Sequence, residues 1–231
     1  KNALAADGVV TVSRVKPHTD FRGKFESGIL KMLVIGLGKQ RGADQVHSFG
    51  TRGLSDMIPE SGKVILEKTK FLGGLATLEN ANEETAHLEV VDRDDLYERE
   101  PVLLERASKM MGRLPFKGCD VLVIGETGKN YSGAGMDPNV IGRMLVEATP
   151  EAETNVPRIV RIAVLEVSPG SHYIRSRVLA SMGKIAEAKE ACREAIRLSV
   201  DMDAAIYDLI GACDTIEERR EALEFLRQEL I

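Results

Sequence analysis

The sequence predicts an α/β protein with a mainly parallel sheet flanked by helices, followed by an all-helical C-terminal tail. Apolar, β-branched runs alternate with segments of helical periodicity over residues 1–170, which is typical of parallel sheets. The run 120–124 (DVLVI) is almost continuously apolar, as in a strand at the centre of such a sheet. Beyond Pro169 and Gly170 the chain is rich in charged residues and lacks strand patterns. We therefore predict an α/β domain over 1–170 and a helical segment over 171–231.

The first half is predicted to begin with a polar lead-in at 1–7 that has a short helical tendency. A strand at 9–15 follows and ends at Pro17, because proline lacks a backbone donor for the ladder. Open α/β sheets bind ligands at strand ends, so His18 stands at a favourable place. The further predicted elements are a buried helix at 29–37 with Ser27 as N-cap, a short helix at 43–48, a loop at 51–62, strands at 63–67 and 74–79, a turn at 80–84, a strand around His87 and a helix at 94–112.

The second half is predicted to place a polar loop between two strands. The strand at 120–124 leads into the glycine-rich loop 125–139, which is followed by a helix at 138–147 and a strand at 158–167. A strand, a polar glycine-rich loop and a helix N-terminus form a layout that suits ligand binding. The loop does not match a P-loop. A purely structural loop and a phosphate-binding enzyme remain as alternatives for this segment.

Composition excludes several classes of partner. The net charge of −5, the aromatic content of 4% and the absence of Trp do not favour nucleic-acid binding. Three cysteines, far apart in sequence, indicate reduced thiols in a cytoplasmic protein. No apolar run is long enough to span a membrane, and no signal peptide is visible. The chain starts at Lys1 rather than Met, so we expect that it is a piece of a longer protein.

The segment 16–50 carries the candidate chemistry. Lys31 interrupts the apolar run 29–35, and a buried lysine needs a partner or a chemical use. With His18 before it and His47 after it, the segment could supply a nucleophilic amine, an imidazole base and an imidazole ligand. The alternatives are a lysine that extends its amine to solvent and histidines that are only hydrogen-bonded.

These motifs resemble the nickel-dependent lactate racemase family, which carries a PHxxAGYSGGxK-type signature and a later histidine. The resemblance covers roughly residues 1–168, and its most specific parts are KPHTDFRG, SGILKM and GKNYSGAGMDPN. The interval from His18 to Lys31 is longer than in the best-known members, which indicates a divergent subgroup. The matching residues of the first block are Pro17, His18, Phe21, Gly23, Ser27, Gly28, Lys31 and His47.

The resemblance implies an isomerase, a racemase or epimerase of a 2-hydroxy acid that works by hydride transfer to a nickel-pincer nucleotide. It implies that His18 is a catalytic base, that Lys31 carries the cofactor covalently, and that His47 ligates nickel. It also implies that the 125–139 loop faces the cofactor or substrate. The cofactor-binding residues expected there are Gly128, Lys129, Asn130, Ser132 and Asp137.

The chain also departs from this family. The family's second base and its upstream arginine-containing segment have no match, so we expect the active site to be incomplete in this chain. Residues 180–198 instead resemble a tetratricopeptide repeat, with Gly183, Ala188, Ala195 and Leu198 at the expected places. About one and a half repeats fit, fewer than such arrays need. The alternative function is therefore a non-catalytic interaction protein that binds a protein partner through its helical tail.

Overall fold

The computed structural model describes residues 2–143, 156–168, 171–198 and 203–229, without the side chains of 47, 51–53, 173, 203 and 204. These residues form a mixed α/β protein with two small sheets. Their contacts divide the chain into two compact units. The first contains the described residues of 1–117 and 138–155, and the second those of 118–137 and 156–231. The domain boundary at residue 170 stays a prediction of the sequence.

The first unit is built on a three-stranded sheet. Its strands are β1 (Val9–Arg14), β2 (Phe71–Glu79) and β3 (Thr85–Asp92), which lie in the order β1-β2-β3. β1 and β2 are parallel, whereas β2 and β3 are antiparallel. The whole connection from β1 to β2 is helical apart from its first loop and its short turns. The elements are α1 (Asn2–Ala5), β1 (Val9–Arg14), α2 (Ile29–Lys31), a π-helical turn (Met32–Gly36), α3 (Leu37–His47, kinked at Lys39), α4 (Gly50–Lys68), β2 (Phe71–Glu79), β3 (Thr85–Asp92), α5 (Leu96–Met110) and α6 (Pro138–Ile141).

The helices of this unit cover one face of the sheet. Ile29 and Leu30 of α2 and Leu33 of the π-helical turn are fully inaccessible to solvent. Leu103 of α5 and Ile58 of α4 belong to the same core. Burying aliphatic side chains of this size stabilises the fold by about 1.5–3 kcal/mol each. The segment that carries Lys31 is therefore fixed by the centre of the core.

The other face of this sheet is apolar but exposed. Val12, Leu75 and Val90 lie in one row across the three strands. Val12 is 67% and Val90 72% exposed to solvent. A sheet flanked by helices on both faces would have covered this row. The described helices of this unit therefore cover one face of the sheet and leave the other exposed.

Two predictions fail in the connection between β1 and β2. The predicted loop at 51–62 and the predicted strand at 63–67 are both wrong, because the chain forms the single helix α4 there. The buried residues Leu54, Ile58 and Leu66 recur at helical spacing along it. Pro59 lies inside this helix, and its carbonyl accepts a hydrogen bond from the Tyr97 hydroxyl at 2.6 Å. Burial of one helix face outweighs the local preferences of proline and of the β-branched residues.

The second unit contains a two-stranded parallel sheet and the helical tail. The predicted strands at 120–124 and 158–167 are confirmed as β4 (Gly118–Thr127) and β5 (Arg158–Val167). The prediction that the first is a central, buried strand is wrong for the described residues, because Val121 is 53% and Val123 60% exposed. The predicted helix at 138–147 is described only as α6, and residues 144–147 lie outside the described part.

The described residues of the tail form four helices. Gly183, with φ of +75°, ends the first helix in a left-handed conformation that favours glycine. Consecutive helices pack around Ala195, Ile196 and Leu209, which are fully buried. Within the described part of the chain, none of the helices is both long and apolar enough to cross a membrane. The helices are α7 (His172–Ser181), α8 (Ile185–Leu198), α9 (Asp203–Gly211) and α10 (Ile216–Glu229).

Candidate functional site

Residues 16–27, which we name the KPH loop, form a closed loop after β1. Its ends are joined by two backbone hydrogen bonds, from Lys16 N–H to the Ser27 carbonyl at 3.0 Å and from Ser27 N–H to the Lys16 carbonyl at 3.2 Å. Glu26 lies 6% exposed beside these ends. Its carboxylate accepts the N–H of His18 at 2.6 Å and the N–H of Gly23 at 3.1 Å. One buried side chain therefore binds the loop backbone at two points.

Burial raises the pKa of the Glu26 carboxyl above its ordinary value. The two backbone N–H groups, and then the positive charges of Arg22 and Lys31, act in the opposite direction. Such hydrogen bonds favour the charged form of a carboxyl group.

The imidazole of His18 is held by the loop itself. Its Nδ1 accepts the backbone N–H of Asp20 at 3.0 Å. The ring packs against the buried Phe21, with 4.5 Å between centroids. The carbonyl of His18 accepts hydrogen bonds from Arg22 at 2.5 Å and from the Asn139 side chain at 3.2 Å. The predicted catalytic histidine is therefore ordered on both its backbone and its ring.

Lys31 approaches the same aromatic ring. Its Nζ is 5.8 Å from the centroid of Phe21, within the range of a cation–π contact. The side chain is half-buried. Burial lowers the pKa of Lys31; the nearby Asp20 raises it, Lys16 lowers it further and Glu26 raises it. A lowered pKa leaves more unprotonated amine, which is the nucleophilic form.

The start of the Lys31 helix is capped by a distant residue. Glu100 of α5 is 1% exposed, and its carboxylate accepts the N–H of Leu30 at 3.0 Å and also that of Ile29. The predicted N-cap, Ser27, makes no such bond, and the helix begins after Gly28. The N–H groups of Ile29 and Leu30 at the start of the Lys31 helix are therefore bound by Glu100.

Sequence reasoning missed Glu100, although a signal was present. The residue lies four positions after Leu96 and three before Leu103, so it stands on the apolar face of α5. Burial raises the pKa of its carboxyl to about 7, against the opposing effect of the hydrogen bonds from Leu30 and Ile29. Its Oε1 atom has no hydrogen-bond partner in the structure. A charged residue within an apolar stripe is rarely accidental, and this pattern could have identified it.

The residues of this unit fit the covalent part of the implied cofactor site. Lys31 supplies a half-buried amine of lowered pKa, as a covalent anchor requires. The predicted nickel ligand, His47, ends α3, but its side chain lies outside the described residues. Among the side chains that the structure describes, no group of three or more His, Cys, Asp and Glu residues is arranged to hold a metal ion. The metal ligand therefore stays a prediction.

The second predicted block lies in the second unit, where residues 127–137 form a compact loop. Gly128 N–H donates to the Gly135 carbonyl at 3.1 Å, and Gly135 N–H donates to the Ser132 carbonyl at 2.8 Å. The N–H groups of Tyr131 and Ser132 both donate to the Gly128 carbonyl. Backbone donors that could bind a phosphate are thus used within the loop, which disfavours the phosphate-binding alternative.

The polar side chains of this loop also serve its own structure. The Asn130 carbonyl oxygen accepts the Ser168 hydroxyl at 2.5 Å, and Lys129 N–H donates to the Ser171 hydroxyl at 2.7 Å. The Ser132 hydroxyl is buried and has no hydrogen-bond partner among the residues that the structure describes, and Asp137 is half-buried at the end of the loop. The bond of Asn130 thus uses one of the polar side chains that suggested a ligand, and that of Lys129 uses its backbone donor.

Of the predicted site residues, the structure brings His18 and Lys31 together, because both contact Phe21. Comparisons of the chain with protein-family models, with curated proteins and with solved structures find no match.

Proposed function

We propose that this chain carries the cofactor-anchoring half of a 2-hydroxy-acid racemase or epimerase that uses a nickel-pincer nucleotide. The observation that supports this most directly is the shared contact of His18 and Lys31 with Phe21. An ordered imidazole and a half-buried amine of lowered pKa then lie beside one apolar surface. In this proposal the site is incomplete, because the resemblance assigns one base, His18, and no residue of the sequence matches the family's second base.

The proposed roles follow from the chemistry of each side chain. Lys31 would hold the cofactor covalently through its Nζ, because the unprotonated amine is the nucleophilic form of lysine. The π-helical turn that begins at Met32 directly follows it, and such turns are frequent at functional sites. His47 is the proposed nickel ligand, since imidazole suits nickel. When bound, the cofactor supplies a hydride acceptor whose electronics the metal tunes.

The reaction removes two groups from the substrate and returns both. A 2-hydroxy acid would lose the hydride on its carbon to the bound cofactor and the proton on its hydroxyl to His18, which gives a 2-oxo acid. The hydride would then return to the opposite face of the carbon and the proton to the oxygen. His18 is the proposed residue at the hydroxyl oxygen. Arg14 is paired with Glu79, and Arg22 donates to the carbonyls of His18 and Phe21. Lys129 lies in the second unit. We therefore assign no residue of this chain to the substrate carboxylate.

Covalent loading tests the proposal. The chain is produced in a host that makes the nickel-pincer cofactor, and its intact mass and metal content are measured. We expect an adduct that maps to Lys31 and disappears in Lys31→Ala, together with stoichiometric nickel that is lost in His47→Ala. An unmodified wild-type chain would contradict the proposal.

Lys24 offers a matched control for this experiment. Its Nζ also lies 5.8 Å from an aromatic centroid, that of Phe25, but the residue is exposed. The Lys24→Ala variant should therefore load as the wild type does. Equal loss of the adduct in both variants would indicate that the label reports general lysine reactivity rather than a site.

The alternative function, binding of a protein partner through the tail, is favoured by one observation. A cavity of about 350 Å³ lies among α7, α8 and α9, lined by Ala180, Ala188 and Cys192 and bordered by the Arg177–Asp208 ion pair at 2.7 Å. Tyr207, 75% exposed, also lines it. Under this alternative, Tyr207→Ala weakens capture of the partner and Lys31→Ala has no effect. The first function is supported if Lys31→Ala abolishes cofactor loading and Tyr207→Ala leaves it unchanged.

A further inference from the structure

The two oxygens of Glu26 determine the shape of the KPH loop. Both accept backbone N–H groups, one from His18 and one from Gly23, and the residue is only 6% exposed to solvent. Hydrogen bonds to a charged acceptor are stronger than those between neutral groups. A loop bound at two points by one buried carboxylate holds the residues between those points, including Asp20, in a fixed arrangement.

This arrangement determines which nitrogen of His18 carries the proton. The backbone N–H of Asp20 can only donate, so Nδ1, at 3.0 Å, must present its lone pair. A neutral imidazole then carries its proton on Nε2. The packing of the ring on Phe21 at 4.5 Å opposes rotation away from this bond.

The tautomer matters for the proposed reaction. In this form Nε2 is a hydrogen-bond donor, which suits the oxygen of a 2-oxo acid. The lone pair that a base needs is on Nδ1, where it is bound to Asp20 N–H. For His18 to accept a hydroxyl proton, the Asp20 N–H must first leave Nδ1. The contacts of Glu26 hold the loop in the donor form, so the base role proposed for His18 requires the loop to open during the reaction.

We propose that Glu26 is a positioning residue that holds the KPH loop in the form in which His18 is an Nε2–H donor. The effect of Glu26 on catalysis rests on the proposed function, whereas its effect on the tautomer of His18 does not. Glu26 acts through the backbone and through Asp20, and it does not touch the reacting atoms in this account.

Nitrogen NMR of a histidine-labelled chain, produced without cofactor, tests the proposal. The chain has four histidines, and the signals lost in His18→Gln assign the resonances of His18. At a pH where the ring is neutral, we expect a protonated Nε2 and an unprotonated Nδ1. In Glu26→Ala we expect both nitrogens to move toward the average of two exchanging tautomers. Glu26→Gln, whose carbonyl still accepts one N–H, should lie between the two.

Glu79→Ala is the matched control, because it removes a carboxylate of the same unit that pairs with Arg14 outside the loop. It should leave the His18 signals unchanged. A wild-type Nδ1–H tautomer overturns the proposal even if Glu26→Ala does not fold. A folded Glu26→Ala with the wild-type tautomer overturns it as well. Neither result depends on cofactor loading, so failure of this proposal and failure of the proposed function are distinguishable.

Discussion

The free energy of unfolding of the wild-type chain is expected to fall as the pH rises from about 5 to 8, and Glu100→Gln is expected to remove this fall. Burial raises the pKa of this carboxyl from 4.5 to about 7, so the folded state binds more protons than the unfolded state between these values. Stability then decreases with rising pH through that window, by about 3 kcal/mol in all. The glutamine keeps an acceptor for the N–H groups of Leu30 and Ile29 and cannot ionise.

Urea unfolding followed by circular dichroism at pH 5, 6, 7 and 8 measures this effect. Glu105→Gln is the control, because Glu105 lies on the same helix but is exposed, and it should keep the wild-type slope. Glu100→Ala leaves two buried N–H groups without an acceptor, which we expect to cost about 2 kcal/mol at pH 6. Equal pH dependence in wild type and Glu100→Gln would contradict this account of Glu100.

Substituting Gly128 by alanine is expected to destabilise the 127–137 loop by about 2 kcal/mol, as overpacking of a closed site does. A Cβ atom at this position would lie 1.8 Å from the Ser168 hydroxyl oxygen and 2.5 Å from the Asn130 side-chain oxygen. Ser168 is 2% exposed, and its hydroxyl donates to Asn130 Oδ1 and is also hydrogen-bonded to the Ser171 hydroxyl. Its hydroxyl can move aside only by losing these bonds, or else the loop backbone must shift.

Hydrogen exchange of the loop amides, together with urea unfolding, tests the expectation. Gly125→Ala is a close control, since its Cβ would meet nothing within 4 Å, and it should change stability by less than about 0.5 kcal/mol. Ser168→Gly in the Gly128→Ala background removes the clashing atoms and should recover part of the loss, which a double-mutant cycle quantifies. Similar effects of the Gly125 and Gly128 substitutions would show that the contact at Gly128 is not tight.

Periodic segments were predicted well, and segments with local breakers were not. The helix at 94–112 is confirmed as α5, because its apolar residues recur at helical spacing and bury one face. α4 was missed because Pro59 and Gly62 suggested a loop, and Val64 and Ile65 suggested a strand. Its helical state depends on burial of Leu54 and related residues against the core, which local preferences do not contain.

Whether a strand is buried was harder to predict from the sequence than whether the strand forms. Residues 120–124 are apolar on both faces, but the described sheet around them has two strands, and Val121 and Val123 stay exposed. An apolar run indicates what a strand could bury, not whether another layer is present to cover it.

The candidate site was predictable in its residue types but not in its supports. His18 and Lys31 were found from their place after a strand and within an apolar run, and both contact Phe21. Glu100 caps the Lys31 helix from seventy residues away in sequence, and Glu26 binds backbone groups rather than a side chain. The apolar stripe of α5 marks Glu100 as a buried charge, but neither the partner of Glu100 nor that of Glu26 can be read from a spacing in the sequence.

The parallel pairing of β1 with β2 has a kinetic consequence. The KPH loop, Lys31 and α4 all lie in the connection between these strands, so the chain must close a long loop before the strands can pair. Loop closure costs entropy before the contacts that reward it are made. The site can therefore acquire its final geometry only late in folding, when β1, β2 and the capping helix α5 have assembled. A peptide limited to residues 16–50 would contain the motif and lack the site.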